Sequence, residues 1–176
     1  MNKLSHKEFI KKLKDIKLLA LDVDGVLTDD SIFFGPDGFE LKKFNISDGL
    51  FMVLAMRAGL ELAIVSGRYS PATDTRMKDL GVKHILQGMK DKVEMISPLL
   101  EKLELDFKEV AFVGNEILDI KLAQKAGLGI AVADSSPDML EAADYVTEHE
   151  GGKGAVREVI ECYFEAVKID PKSYLV

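Results

Sequence analysis

The chain has 176 residues, 47% of them hydrophobic, and a formal net charge of −7 at pH 7. This length is typical of one domain that buries about 70% of the surface its unfolded chain would expose. The negative balance argues against nucleic acid as a partner, because binding to phosphate backbones requires a basic surface. The single cysteine excludes a disulfide within the chain. We therefore expect one globular domain over residues 1–176.

The lysine-rich segment of residues 1–17 predicts a basic amphipathic helix that docks on the domain. It lacks the continuous apolar core of an export signal. No apolar run in the sequence reaches the length of a membrane span. We therefore expect a cytoplasmic protein that does not bind a membrane.

The rest of the sequence alternates between buried-strand and helical patterns, which is typical of an α/β fold with a doubly wound parallel sheet. The predicted strands comprise residues 18–21, 61–67, 84–86, 109–114, 129–133 and 145–147. The predicted helices comprise residues 48–59, 70–80, 90–104, 117–126, 138–143 and 155–167.

One antiparallel element interrupts this alternation after the first strand. Ser31–Phe34 and Phe39–Asn45 flank the turn-forming sequence Gly35–Gly38 and predict a β-hairpin. Its isoleucine and phenylalanine side chains offer more apolar surface than two strands can bury, and an isolated hairpin is marginally stable. We therefore expect the hairpin to pack against a neighbouring subunit.

Polar residues lie where the predicted strands end. Asp22 and Asp24 follow the first strand, Ser66 ends the second, Gly114–Glu116 end the fourth, and Lys92 begins the helix after the third. The carboxyl ends of parallel strands share one edge, where ligands bind. Phosphoryl transfer through an aspartyl-phosphate requires an ionised nucleophile, a proton donor and cations. These residues supply all three.

This ordered set resembles the haloacid dehalogenase superfamily of phosphatases. DVDGVLTD resembles its first motif, Ser66 and Lys92 its second and third, and GNEILD its fourth. Six further segments resemble 3-deoxy-D-manno-octulosonate 8-phosphate phosphatases: FNISDG (44–49), VSGR (65–68), QGMKDK (87–92), AVADSSP (131–137), ADYVT (143–147) and GGKGAVREV (151–159). The resemblance implies a capless phosphatase and a homotetramer, in which the hairpins form a shared barrel and a neighbour completes the active-site entrance.

The resemblance also implies roles for the residues at the strand ends. Asp22 is the expected nucleophile, and Asp24 the expected general acid and base. Mg²⁺ is expected to bind the Asp22 carboxylate, the Asp24 backbone carbonyl and Asn115. Ser66 is expected to donate a hydrogen bond to the phosphoryl group, and Lys92 to pair with its oxygens.

Arg68 is the expected contact for the carboxylate of a phosphorylated sugar acid, because a guanidinium suits bidentate pairing. The octulosonate phosphatases have Arg at this position, whereas nine-carbon sialic-type relatives tend to differ, which favours an eight-carbon substrate. Gly67, Asn45 and Asp48 complete the expected substrate-binding set. Residues 151–154 resemble the family's mobile tail, and a plain loop-to-helix junction is the alternative.

The fourth motif departs from the usual GDD, because Asn115 and Glu116 replace its acidic pair. The change removes one negative charge, which predicts weaker Mg²⁺ binding unless Glu116 or Asp119 compensates. Three alternatives stay open. They are a phosphatase of a nine-carbon sugar-acid phosphate, a catalytically weak tetramerisation module related to sialic-acid-activating enzymes, and a DxD glycosyltransferase using Mn²⁺. The last would leave Ser66 and Lys92 without a role.

Overall fold

The computed structural model describes residues 3–175. The strands are β1 (Leu18–Leu21), β2 (Phe33–Phe34), β3 (Glu40–Leu41), β4 (Glu61–Ser66), β5 (His84–Gln87), β6 (Val110–Gly114), β7 (Leu128–Ala131) and β8 (Tyr145–Val146). The α-helices are α1 (His6–Leu13), α2 (Ile46–Arg57), α3 (Pro71–Asp79), α4 (Lys92–Leu103), α5 (Ile120–Lys125), α6 (Pro137–Ala142) and α7 (Ala155–Val167). Across these residues, no helix has the length and apolar character needed to cross a membrane.

A six-stranded sheet in the order β5-β4-β1-β6-β7-β8 forms the centre of the fold. All of its pairs are parallel, and β1 lies between β4 and β6. The chain builds outward from β1 to β5 and then returns to the other side of β1 at β6. This confirms the predicted doubly wound sheet. It also places the carboxyl end of β1 at the switch point where such sheets bind ligands.

Helices cover both faces of the sheet, which explains why β1 is a continuous apolar run. Successive strand side chains point to opposite faces. Leu19 and Leu21 therefore pack in the core formed with α1, α2, α3 and α7, whereas Leu18 and Ala20 pack in the core formed with α4, α5 and α6. A strand buried on both sides fixes the backbone from which the predicted site residues emerge.

The hairpin of β2 and β3 is present but shorter than predicted. Only Phe33 with Leu41 and Phe34 with Glu40 pair across it, whereas the predicted arms comprise residues 31–34 and 39–45. The second arm leaves the ladder after Leu41, where the Lys42 side chain turns inward and binds Asp24. The exposed apolar side chains of this region are Ile32, Phe33, Phe34, Phe39, Leu41, Ile46 and Leu50.

Helix α2 begins two residues before the predicted start at Asp48, because Asn45 is its N-cap. The Asn45 Oδ1 accepts hydrogen bonds from the backbone N–H groups of Ser47 at 2.8 Å and Asp48 at 3.3 Å. Asn and Asp are both favoured cap residues, so residue type alone does not distinguish Asn45 from Asp48. Asp48 consequently lies in the first turn of the helix rather than at its start.

The carboxylate of Asp48 caps a different helix. Its Oδ1 accepts the backbone N–H of Arg157 at 2.8 Å, in the first turn of α7. The N-cap of α7 is Gly154, which has no side chain to accept that hydrogen bond. Burial raises the pKa of Asp48, against the opposing effect of the N–H group of Arg157. Asp48 therefore joins α2 to α7.

Residues 151–154 form the turn that leads into α7, which is the loop-to-helix junction of the alternative interpretation. The backbone N–H of Gly152 donates to the Val26 carbonyl at 2.9 Å, in the loop that follows β1. A Cβ at Gly151 would lie 1.8 Å from the Gly25 carbonyl oxygen. The junction thus packs directly on the backbone of the first motif, an approach that only glycine permits.

We predict that Asp48→Ala lowers the free energy of unfolding by about 1–2 kcal/mol, because α7 loses the acceptor at its first turn. Urea denaturation at pH 7 measures the change. The matched control is Asp79→Ala, whose carboxylate is 72% exposed and pairs only with Arg76. It is expected to change stability by less than about 0.5 kcal/mol. Equal effects of the two substitutions would contradict the capping role.

Candidate active site

A cavity of about 380 Å³ lies beyond the carboxyl ends of β1, β4 and β6. The predicted site residues that line it are Asp22, Asp24, Ser66, Gly67, Arg68, Lys92 and Asn115, and they are joined there by Asp30, Lys90, Glu116, Leu118 and Asp119. The structure therefore brings together the predicted catalytic and metal-binding residues and two of the four predicted substrate contacts.

Asn45 and Asp48 are the two predicted substrate contacts that are not part of this lining. The Asn45 side chain caps α2, and its Nδ2 donates to the carbonyl of Gly152 at 3.2 Å. Asp48 accepts the Arg157 N–H instead of facing the cavity. Both side chains hold the junction that packs behind the first motif, and their role in binding substrate stays a prediction.

Asp22 follows the last residue of β1 and is nearly buried. Its Oδ1 lies 2.8 Å from the Lys92 Nζ. Burial and the nearby Asp119 carboxylate raise the pKa of Asp22 to about 7, against the opposing effect of the Lys92 ammonium. A nucleophilic carboxylate must be ionised, so additional positive charge beside Asp22 would favour its reactive form.

Lys92 opens α4 with its side chain only 4% exposed, between Asp22 and Asp119. Burial alone would lower the pKa of Lys92, but the two carboxylates outweigh it and raise the pKa above its usual range. The Asp119 Oδ1 lies 2.5 Å from Nζ. Its Oδ2 accepts the backbone N–H groups of Asn115 at 2.9 Å and Glu116 at 3.1 Å. Asp119 therefore holds both the lysine and the fourth-motif loop.

The oxygen atoms at the ends of β1 and β6 fit a magnesium ion. The Oδ1 of Asn115 is buried and accepts no hydrogen bond, an arrangement that a bound cation would satisfy. Asn115 packs against Gly25, where a Cβ would lie 1.9 Å from Nδ2. Within residues 3–175, no three His, Cys, Asp or Glu side chains form a metal-binding cluster. An ion here would bind the Asp22 carboxylate, the Asn115 amide oxygen and the Asp24 backbone carbonyl, beside several waters.

Asp24 lies between two cations. The Lys42 Nζ contacts its Oδ1, while the Arg68 Nε and Nη2 lie 3.3 Å and 3.2 Å from its Oδ2. Arg68 also binds both carboxylate oxygens of Glu40, which accepts a hydrogen bond from the Ser70 Oγ at 2.6 Å. The hydrogen bond from Arg68 holds the pKa of Glu40 below its usual range. Arg68 thus points into the cavity as predicted.

The sequence patterns did not indicate that Glu40 and Lys42 belong to the site. Both lie in the second arm of the hairpin, for which the sequence predicts only apolar packing. Their spacing of two residues places both side chains on one face of an extended segment. This spacing was the available indication, because a Glu and a Lys on one face of a strand suggest that this face contacts polar groups of the protein rather than solvent.

Ser66 ends β4 with its hydroxyl in the cavity. Its Oγ donates to the backbone carbonyl of Arg68 at 3.0 Å, and its own carbonyl accepts the N–H of Gly88 at 3.0 Å. These two bonds fix the strand end beside β5. At Gly67, a Cβ would meet only the Met89 carbonyl at 3.8 Å, so the backbone there is open to the cavity.

Residues 83–160 match the family model described as haloacid dehalogenase-like hydrolase. The match covers Lys92 and the fourth-motif loop. Asp22 and Asp24 follow β1, the central strand of the same parallel sheet. The fold and the site together define a haloacid dehalogenase-like hydrolase. This class replaces the glycosyltransferase alternative, because the lysine and the serine have defined places in its site.

Curated and solved relatives narrow the class to a family. The 3-deoxy-D-manno-octulosonate 8-phosphate phosphatase KdsC of Escherichia coli K12 is 45% identical over 152 residues, which are 86% of this chain and 81% of that protein. The phosphatase of the same name from Moraxella catarrhalis, solved with magnesium, phosphate and KDO, has a TM-score of 0.89 at 40% identity, covering 92% of this chain and 93% of that one. The cobalt-bound Haemophilus influenzae phosphatase has a TM-score of 0.85 at 34% identity, covering 89% and 92%. The chain belongs to the 3-deoxy-D-manno-octulosonate 8-phosphate phosphatase family.

We predict that Mg²⁺ raises the Tm more at pH 8 than at pH 5.5. Without metal, the folded protein keeps a proton on Asp22 that the unfolded chain releases above about pH 4. Its stability therefore falls as pH rises toward the Asp22 pKa of about 7, and the ionised carboxylate above that pH binds the cation. Thermal unfolding should show a gain of about 5–10 °C at pH 8 with Mg²⁺ about 100-fold above its Kd.

The control for this measurement is Asp22→Asn, which keeps the shape of the side chain but removes its charge. In this variant, Mg²⁺ should give the same small shift at both pH values. Equal Mg²⁺ shifts at both pH values in the wild-type protein would contradict the role of Asp22 in binding the ion.

Proposed function

We propose that this chain is a Mg²⁺-dependent phosphatase that hydrolyses 3-deoxy-D-manno-octulosonate 8-phosphate to the free sugar acid and inorganic phosphate. The observation that carries the proposal is the pairing of Asp22 with buried Lys92 at the switch point of the sheet. The 45% identity to the Escherichia coli phosphatase supports the substrate. The Moraxella catarrhalis complex supports both the metal and the product.

In the proposed reaction, the Asp22 carboxylate attacks phosphorus, and the bond from phosphorus to the sugar oxygen breaks as the aspartyl-phosphate forms. Lys92 and the Ser66 hydroxyl stabilise the charge on the phosphoryl oxygens. Asp24 gives a proton to the departing sugar oxygen. It then takes a proton from the water that attacks the intermediate, which releases phosphate and regenerates Asp22.

Mg²⁺, held by Asp22, the Asp24 carbonyl and Asn115, would supply positive charge that offsets the phosphate oxygens and the nucleophile. The neutral amide of Asn115 gives this set one negative charge fewer than the family's usual aspartate. Lys92 and Asp119 are both in place, and their ion pair argues against the alternative of a decayed, purely structural module.

Substrate selection is proposed to rest on Arg68. Its side chain is 39% exposed and lies against Asp24, so it can reach a carboxylate on a bound sugar acid while it remains near the reacting oxygen. Gly67 leaves space beside it. Asn45 and Asp48 are the remaining proposed contacts, at the base of the hairpin. The eight-carbon sugar acid is the substrate that this arrangement favours.

We further propose that residues 1–176 form one capless domain that acts as a homotetramer in the cytoplasm. The two cores on one sheet support a single domain. The exposed side chains of the hairpin support assembly, since Phe34 is 70% exposed and Phe39 56%.

We predict that, with Mg²⁺, the chain releases inorganic phosphate from the eight-carbon substrate with a kcat/KM about 10-fold or more above that for nine-carbon sugar-acid phosphates. In the nine-carbon acid the carboxylate lies one carbon further from the phosphate, and loss of its contact with Arg68 accounts for a difference of this size. A colorimetric phosphate assay measures both rates. Arg68→Lys is expected to reduce the preference, because a lysine cannot pair in a bidentate manner. A preference for the longer sugar would contradict the proposed substrate.

In the same assay, Asp22→Asn should lower kcat on every substrate by about 10³-fold or more while leaving the folded mass unchanged, since the nucleophile is lost. Full activity of this variant would remove Asp22 from its proposed role and the aspartyl-phosphate from the reaction.

We predict that Phe34→Asp converts the tetramer to smaller species, because it places a charge on the most exposed aromatic side chain of the hairpin. Light scattering coupled to size-exclusion chromatography measures the mass. Leu175→Asp, which alters another exposed apolar side chain far along the chain, should retain the wild-type mass. A wild-type monomer, or a Phe34→Asp tetramer, would contradict the proposed assembly.

A further inference from the structure

A buried lysine of the hairpin has no role in the reaction described above. The Lys42 side chain is only 1% exposed, and its Nζ contacts the Asp24 Oδ1, with the Glu40 Oε1 at 3.9 Å. Lysine is almost never fully buried unless it is paired. Lys42 is not among the residues that line the cavity, unlike Lys92, so its charge acts on these two carboxylates.

The two oxygens of Asp24 have different surroundings. Oδ1 contacts the enclosed Lys42, whereas Oδ2 lies 3.2 Å from the Nη2 of the partly exposed Arg68. Arg68 is the proposed contact of the substrate carboxylate. Oδ2 is therefore the oxygen that faces the substrate, and Lys42 holds Oδ1 on the opposite side.

We propose that Lys42 is a positioning residue, which holds Oδ1 of Asp24 so that Oδ2 is presented to the departing sugar oxygen. The inference rests on the proposed phosphatase function. Proton transfer requires a heavy-atom distance of about 2.6–3.2 Å, and a carboxylate that rotates freely is seldom at that distance. A side chain misplaced by about 1 Å can cost about 10²-fold in rate.

Glu40 anchors the arm that carries this lysine. Its carboxylate binds Arg68 and accepts the Ser70 hydroxyl at 2.6 Å, at the N-terminus of α3. The carboxylates of Asp24 and Glu40 and two cations thus form a charge-balanced group that includes the proposed acid. Two of its four members, Glu40 and Lys42, belong to the hairpin rather than to the sheet.

The second arm of the hairpin has two different faces, because its residues alternate in exposure. Glu40 and Lys42 face the site with 11% and 1% of their side chains exposed. Phe39 and Leu41 point the opposite way and are 56% and 48% exposed. A partner subunit that covers the apolar face would therefore fix the charged face, and with it the orientation of Asp24.

The test compares two aryl phosphate esters that lack a carboxylate, so that contacts between Arg68 and a substrate carboxylate do not affect the rates. 4-Nitrophenolate leaves without a proton, whereas phenolate is a poorer leaving group that benefits from an acid. The quantity measured is the ratio of kcat/KM for 4-nitrophenyl phosphate to that for phenyl phosphate. This parameter covers the steps up to leaving-group departure, so hydrolysis of the intermediate does not affect it.

Lys42→Met is expected to raise this ratio about 10-fold or more and to lower kcat/KM on the sugar phosphate about 100-fold. Lys42→Arg, which restores a cation, should return the ratio toward the wild-type value. The matched control is Lys43→Met, which alters the adjacent surface lysine that pairs with Asp29, and it should leave the ratio unchanged. If Lys42→Met does not fold, Lys42→Gln provides the same comparison.

An unchanged ratio in Lys42→Met, with or without an equal loss of kcat/KM on both aryl esters, would overturn the inference and leave Lys42 with a structural role at most. Those results leave the phosphatase proposal standing, because the wild-type protein would still release phosphate. Absence of phosphate release from every ester by the wild-type protein would overturn the proposed function and this inference with it.

Discussion

The ion pairs of one buried ammonium hold three parts of the site together. Lys92 of α4 binds Asp22 at the end of β1 and Asp119 in the fourth-motif loop, and Asp119 in turn fixes the backbone of that loop. A buried ion without a partner lowers the free energy of unfolding by several kcal/mol. Each charge in this group is therefore stabilised by the groups beside it.

The same electrostatic logic extends to the edge of the cavity. Asp24 is enclosed by Lys42 and Arg68, and Glu40 connects both cations to α3. The proposed nucleophile is thus held by residues of the sheet and its helices, whereas the proposed acid is held partly by the hairpin. The two halves of the reaction depend on elements of different rigidity, since the hairpin has only two paired positions.

Much of the fold and the site could be predicted because the relevant patterns are local. Continuous apolar runs locate the buried strands, and the rule that ligands bind at strand ends brings Asp22 and Ser66 together. The contact of Lys42 with Asp24 could not be predicted, because it depends on where a short hairpin leaves its ladder. Asn45 and Asp48 were ambiguous for a simpler reason, since both are good caps and only tertiary packing assigns each to its helix.

The packing of Asn115 against Gly25 has an evolutionary consequence. An asparagine and an aspartate are nearly isosteric, and the glycine hydrogen leaves just enough room for either side chain. Exchanging amide for carboxylate would therefore alter the affinity for a divalent ion without rebuilding the loop. At the proposed magnesium site, a single codon change can therefore tune the affinity for the metal while the main-chain geometry around it stays constant.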